Sequence, residues 1–154
     1  MFDGFEGSDA VNLDAKGRFA IPTRHREALA AQGEALVLTA HPDHCLLLYP
    51  VPAWEPIREK ILKAPSFDPR SQNLKRVLVG NARTDTLDAS GRLLLPPGLR
   101  GHAQLEKTIW VVGMGSYFEI WSEAGWQRVN ALASEAWDSS QNNAPPPGFE
   151  DISL

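Results

Sequence analysis

Leu13-Asp14-Ala15-Lys16-Gly17-Arg18-Phe19-Ala20-Ile21-Pro22 returns as Leu87-Asp88-Ala89-Ser90-Gly91-Arg92-Leu93-Leu94-Leu95-Pro96, with Leu, Asp, Ala, Gly, Arg and Pro recurring at a constant offset of 74. Leu36-Val37-Leu38 and Trp110-Val111-Val112 keep that offset. The offset then drops to 72, aligning Cys45-Leu46-Leu47-Leu48-Tyr49 with Tyr117-Phe118-Glu119-Ile120-Trp121 and Trp54 with Trp126. A two-residue deletion in a turn explains the change. An ordered repeat of this kind sets the architecture before any single element does.

Each copy reads alike. A strand ends at Asn12-Leu13 or Thr86-Leu87. The Asp-Ala-x-Gly turn follows, because Asp accepts from amides two residues on and Gly tolerates positive φ. A strand over Arg18–Ile21 or Arg92–Leu95 runs into Pro22 or Pro96, which suit the first turn of a helix. The pattern predicts a helix over Arg24–Ala31 and a shorter one after Pro97. Hairpins are expected over Ala35–Thr39 with Cys45–Tyr49, and over Thr108–Val112 with Phe118–Trp121. Trp54 and Trp126 open the closing helices, the second running to about Trp137. Between the copies, the Pro65–Pro69 break separates that first helix from another over Arg70–Val79, with Gly80 as a candidate cap. A module of about 40 residues buries too little surface to stand alone. The two are therefore expected to pair as a pseudo-dimer, with Leu46–Leu48 and Leu93–Leu95 buried on both faces. The expected divisions are a first module over 1–54, a helical connector over 55–83, a second module with its helix over 84–137, and a disordered tail or terminal arm over 138–154.

Net charge is −4 over 154 residues and there is one cysteine, Cys45. No run is long enough for a membrane span and the start lacks a signal-peptide pattern, so a cytoplasmic protein is expected. The charge is uneven. Residues 12–26 hold four cations against one carboxylate, residues 86–100 two against one, and residues 119–154 one against six. Phosphate contact requires local positive charge rather than a basic whole.

Two Leu-Asp-Ala-x-Gly-Arg-x-x-x-Pro motifs in order, the opening Met1-Phe2 and Cys45-Leu46-Leu47-Leu48-Tyr49-Pro50 resemble the bacterial MraZ family over residues 1–137. The resemblance implies a mixed α+β, β-rich fold of two tandem AbrB-like swapped-hairpin modules with flanking helices. It also implies a transcriptional regulator that forms closed rings, binds short repeated sites ahead of the division and cell-wall genes, and represses that cluster, its own gene included. It makes Asp14, Arg18, Asp88 and Arg92 the motif residues. The start departs from the family in carrying Asp3 where a basic residue is common, and an extra residue or two before Leu13.

Arg18 has two readings: contact with a guanine edge or phosphate, or an ion pair with Asp14 that stiffens the turn. They are compatible if Asp14 orients Arg18. Lys16 is a solvated turn lysine or a phosphate contact. Arg24 and Arg26 are solvated helix charges or phosphate clamps. Arg92 and Arg100 sit in less basic surroundings, so copy one is expected to carry the main DNA contact and copy two to serve pairing and ring assembly. The expected partners are double-stranded DNA and copies of the chain itself, with no membrane and no small-molecule substrate, at the nucleoid. Two other classes compete. Acidity favours a protein-binding module such as a toxin-neutralising protein. His41 and His44 have a spacing that a metal enzyme can use, although turn chemistry explains them better. No catalytic motif is present, and neither a cofactor nor a metal is expected.

Overall fold

The Asp-Ala-x-Gly tetrapeptides reverse the chain as their residue types require, and everything else is arranged around these two reversals. The computed structural model describes residues 4–140 and 143–153; the Asp3 departure and parts of the expected tail fall outside them. Module one contains β1 (Ser8–Asn12), β2 (Arg18–Ala20), α1 (Thr23–Ala31), β3 (Ala35–His41), β4 (Cys45–Pro50) and α2 (Val51–Lys63). After α3 (Pro69–Leu78), module two repeats the order as β5 (Arg83–Thr86), β6 (Arg92–Leu94), α4 (Pro97–His102), β7 (Thr108–Gly113), β8 (Phe118–Ser122) and α5 (Glu123–Ser140). Pro22 and Pro96 take the N-cap positions of α1 and α4, one residue earlier than expected; Pro97 occupies the first helical turn. The closing helix continues three residues past Trp137.

The modules are exchanged through their strands. The six-stranded sheet runs β1-β7-β8-β4-β3-β5, so the first strand of each module pairs with the hairpin of the other, and β4 pairs with β8 at the centre. β2 and β6 form a separate antiparallel ribbon. The expected pseudo-dimer is thus a two-module α+β fold in which neither half completes a sheet by itself.

Strand periodicity sorts side chains to two faces. Leu36, Leu38, Leu46, Leu48, Ile109 and Ile120 point to a core closed by Phe19 and Leu93 of the ribbon and Leu29 and Leu99 of α1 and α4. On the opposite face Val37, Leu47 and Tyr49 pack under Trp54 of α2, while Cys45, Val112 and Trp121 pack with Trp126 of α5. Each fully buried aliphatic side chain contributes about 1.5–3 kcal/mol. Leu46–Leu48 are buried on both faces as expected.

Leu93–Leu95 correct the expectation. Leu93 and Leu95 are buried, but Leu94 is 39% exposed. Among the described residues β6 pairs with three-residue β2 alone, and no layer covers the outer face of that ribbon. Gly80 closes the end of α3 as expected of a cap, without a left-handed φ. Its amide donates to the Lys75 carbonyl at 3.0 Å, and a Cβ there would collide with the Arg76 carbonyl. No helix among the described residues is long and apolar enough to cross a membrane.

Candidate nucleic-acid interface

Asp14 builds its turn with both carboxylate oxygens. Oδ1 accepts from the amides of Lys16 and Arg18, each at 2.9 Å, and Oδ2 accepts from Arg18 Nε at 2.8 Å. The Gly17 amide donates to the Asp14 carbonyl at 3.0 Å, with Gly17 at φ +83°. Asp88 repeats the arrangement: Oδ1 accepts from Ser90 and Arg92 amides at 2.9 Å and Oδ2 from Arg92 Nε at 2.9 Å. Both carboxyls are held below their ordinary range, chiefly by the backbone amide of Arg18 or Arg92. The ion pair of the second reading is present: it engages Arg18 at Nε and leaves 28% of the side chain exposed. Among the described residues no hydrogen bond engages a terminal nitrogen of Arg18; Arg92 Nη1 lies 3.9 Å from Asp14 Oδ2.

The ribbon brings the motifs together. Arg18 faces Leu94 and Ala20 faces Arg92, with Phe19 opposite Leu93 between them. Alternation sends Phe19 and Leu93 into the core and leaves Arg18, Ala20, Arg92 and Leu94 on one outward face. Lys16 is exposed at the turn tip. The copies are alike in geometry and differ in what they present: Lys16 and Ala20 in one, Ser90 and Leu94 in the other.

Arg24 and Arg26 each have a partner within the chain. Arg24 Nη2 is ion-paired with Asp9 Oδ2 of β1, which offsets the local basicity read from residues 12–26. Arg26 Nε donates to the Ile21 carbonyl at 3.0 Å, and its symmetry mate Arg100 donates to the Leu95 carbonyl at 2.9 Å. Each of these arginines also covers the turn glycine of the other module. A Cβ on Gly91 would lie 2.8 Å from Arg26 Cζ, and one on Gly17 would lie 2.9 Å from Arg100 Cζ. The backbone closes the same crossing, with Ile21 N donating to Gly91 O at 3.0 Å and Leu95 N to Gly17 O at 2.8 Å. The signal for these staples was the recurrence of Arg26 at Arg100 with the repeat offset of 74.

His41 and His44 lie in the β3–β4 turn, where His41 Nδ1 accepts from the Asp43 amide at 3.0 Å. His102 reaches them from module two; its Nε2 is 2.7 Å from the His41 carbonyl and its ring stacks on His44 at 5.4 Å. Among the described residues no group of three His, Cys, Asp or Glu is arranged to hold a metal. His25 is buried edge-on against Phe5 and Phe118, its Nε2 without a hydrogen bond and 3.9 Å from Asp9 Oδ2.

A family model described as "MraZ protein, putative antitoxin-like" matches residues 5–77 and again 78–144, dividing the chain into the same two halves as its strands and motifs. The chain belongs to the MraZ family. A protein of Dechloromonas aromatica named "Transcriptional regulator MraZ" is 62% identical over 97% of this chain and 99% of its own length. Proteins of the same name from Aromatoleum aromaticum and an Azoarcus species are 55% and 51% identical, again over 97% of this chain and 99% of theirs. MraZ proteins so named form a class of regulators rather than enzymes.

Proposed function

We propose that this MraZ chain, a transcriptional regulator by kinship, binds double-stranded DNA through the outer face of the β2–β6 ribbon. In this reading copies assemble into a ring, grip short repeated promoter sites, and repress the division and cell-wall cluster that includes their own gene. Its place is then the nucleoid. One observation carries the DNA reading: Arg18 and Arg92 share an outward ribbon face, each fixed at Nε by its own aspartate and each partly exposed. A two-stranded ribbon fits the major groove, and the planar fork suits a guanine edge or a phosphate. The net charge of −4 is no obstacle, because the excess of carboxylates over cations concentrates toward the C-terminus. Many weak ribbons on one ring add through effective concentration. A mobility-shift titration on the region upstream of its own gene tests the reading. A specific shift weakened by Arg18→Ala supports it, and the absence of any specific shift refutes it.

The antitoxin-like description of the family favours a second reading, a module that neutralises a protein partner. A stoichiometric protein recovered from native pull-down without DNA would replace the first reading with this one.

A further inference from the structure

Module one covers its hairpin with α2 and α3; in module two α5 does this alone and then runs on. Residues 130–139 are all exposed. Along this overhang the apolar side chains keep helical spacing. Val129, packed against the third core cluster, is followed by Leu132, Ala133 and Ala136 on the same side. Leu132 is 54% exposed. A helical end of this length has little stability of its own, so an apolar stripe along it calls for a surface to pack on.

A second apolar surface lies where α2 turns into α3. Leu62, Phe67 and Leu74 are 44%, 99% and 47% exposed. The turn is held by Lys75, whose Nζ donates to the Ala64 carbonyl and to Ser66 Oγ, both at 3.0 Å, so Phe67 is displayed on a fixed corner. Charge selects the pairing. The overhang from 129 to 140 carries Glu135 and Asp138 and no lysine or arginine, so two overhangs laid together would oppose like charges. Between 58 and 76 the corner carries Arg58, Lys60, Lys63, Arg70, Lys75 and Arg76 against Glu59 and Asp68.

We infer that the α5 overhang of one copy docks on the α2–α3 corner of a second copy. Donor and acceptor are different surfaces, so the contact is head-to-tail and repeats around a ring. This inference rests on the assembly part of the proposed function and names the surfaces that would make it.

Cysteine pairing tests it on the full chain. Cys45 is wholly buried and gives a silent background. Phe67→Cys and Leu132→Cys are placed at exposed sites and oxidised separately and as an equimolar mixture, with native mass measured beside them. A covalent dimer formed only in the mixture, and a ladder of multimers from a chain carrying both changes, is the expected result. A dimer from Leu132→Cys alone overturns the inference in favour of paired overhangs. A multimeric wild type whose mixture stays uncrosslinked also overturns it, while leaving ring assembly standing. A monomeric wild type removes both.

Discussion

Arg26 of module one covers Gly91 of module two so closely that a Cβ on the glycine would sit 2.8 Å from the Arg26 Cζ. Arg100 covers Gly17 in the same manner, so the two turns are clamped by reciprocal arginines. Gly91 also has φ +74°, a region that costs a side chain about 1–2 kcal/mol. Gly91→Ala is expected to lower stability by at least that amount in denaturant unfolding. Combined with Arg26→Ala it should cost less than the sum of the two, since the clash disappears with the guanidinium. Strict additivity would show that the clamp is not one unit.

Asp14 spends one oxygen on two amides and the other on Arg18 Nε. Asp14→Asn keeps a carbonyl for the amides and removes the charged acceptor for the arginine. The fold should persist while specific DNA affinity falls about tenfold, in line with about 1–3 kcal/mol for a misplaced base-reading contact. Circular dichroism with anisotropy titration separates the two. Unchanged affinity would mean that Asp14 does not orient Arg18.

The turns, ribbon strands and hairpins were legible because the same residue types recur at a constant offset, and each local rule selects the same element in both copies. What escaped lies in contacts between distant segments. Leu94 looks like a core residue in its run of three leucines, yet it has no layer above it. Arg24 reads as free charge until β1 brings Asp9 beside it. Arg26 reads as a solvated helix charge or a phosphate clamp, and only the fold shows it lying over Gly91 of the other module. His102 lies 61 residues from the His41 carbonyl it contacts. A short window along the chain does not hold both His41 and His102, or both Arg26 and Gly91.

Burial holds the His25 imidazole below its ordinary value, Arg24 adds to the effect and Asp9 opposes it. The folded state thus disfavours the proton. The contribution to stability is complete above the ordinary histidine range, near pH 6.5, and declines as pH falls below it until the folded imidazole itself protonates. The melting temperature is expected to drop between pH 7.5 and 5.5, and His25→Leu to flatten that drop. An equal slope in both proteins would exclude His25 as its source.

Burial pushes the Cys45 thiol up to about 12, with Glu119 and Asp43 adding to it. Little thiolate forms at neutral pH. A disulfide reagent should leave the native protein unmodified and label it once upon unfolding. Rapid labelling of the native state would contradict this packing.

In the proposed mode the ribbon reads DNA through Arg18 and Arg92 while Arg26 only supports them. Anisotropy titrations of wild type, Arg18→Ala and Arg26→Ala on upstream DNA and a scrambled duplex, each at several salt concentrations, test this most directly. If Arg18 contacts a phosphate, its loss should weaken binding and reduce the magnitude of the salt slope by about 0.9; if it reads a base edge, its loss should erase the preference over the scrambled duplex. Arg26→Ala should weaken binding with the slope unchanged. Equal binding to both duplexes by wild type, or an Arg18→Ala titration identical to wild type in affinity and slope, would contradict the account.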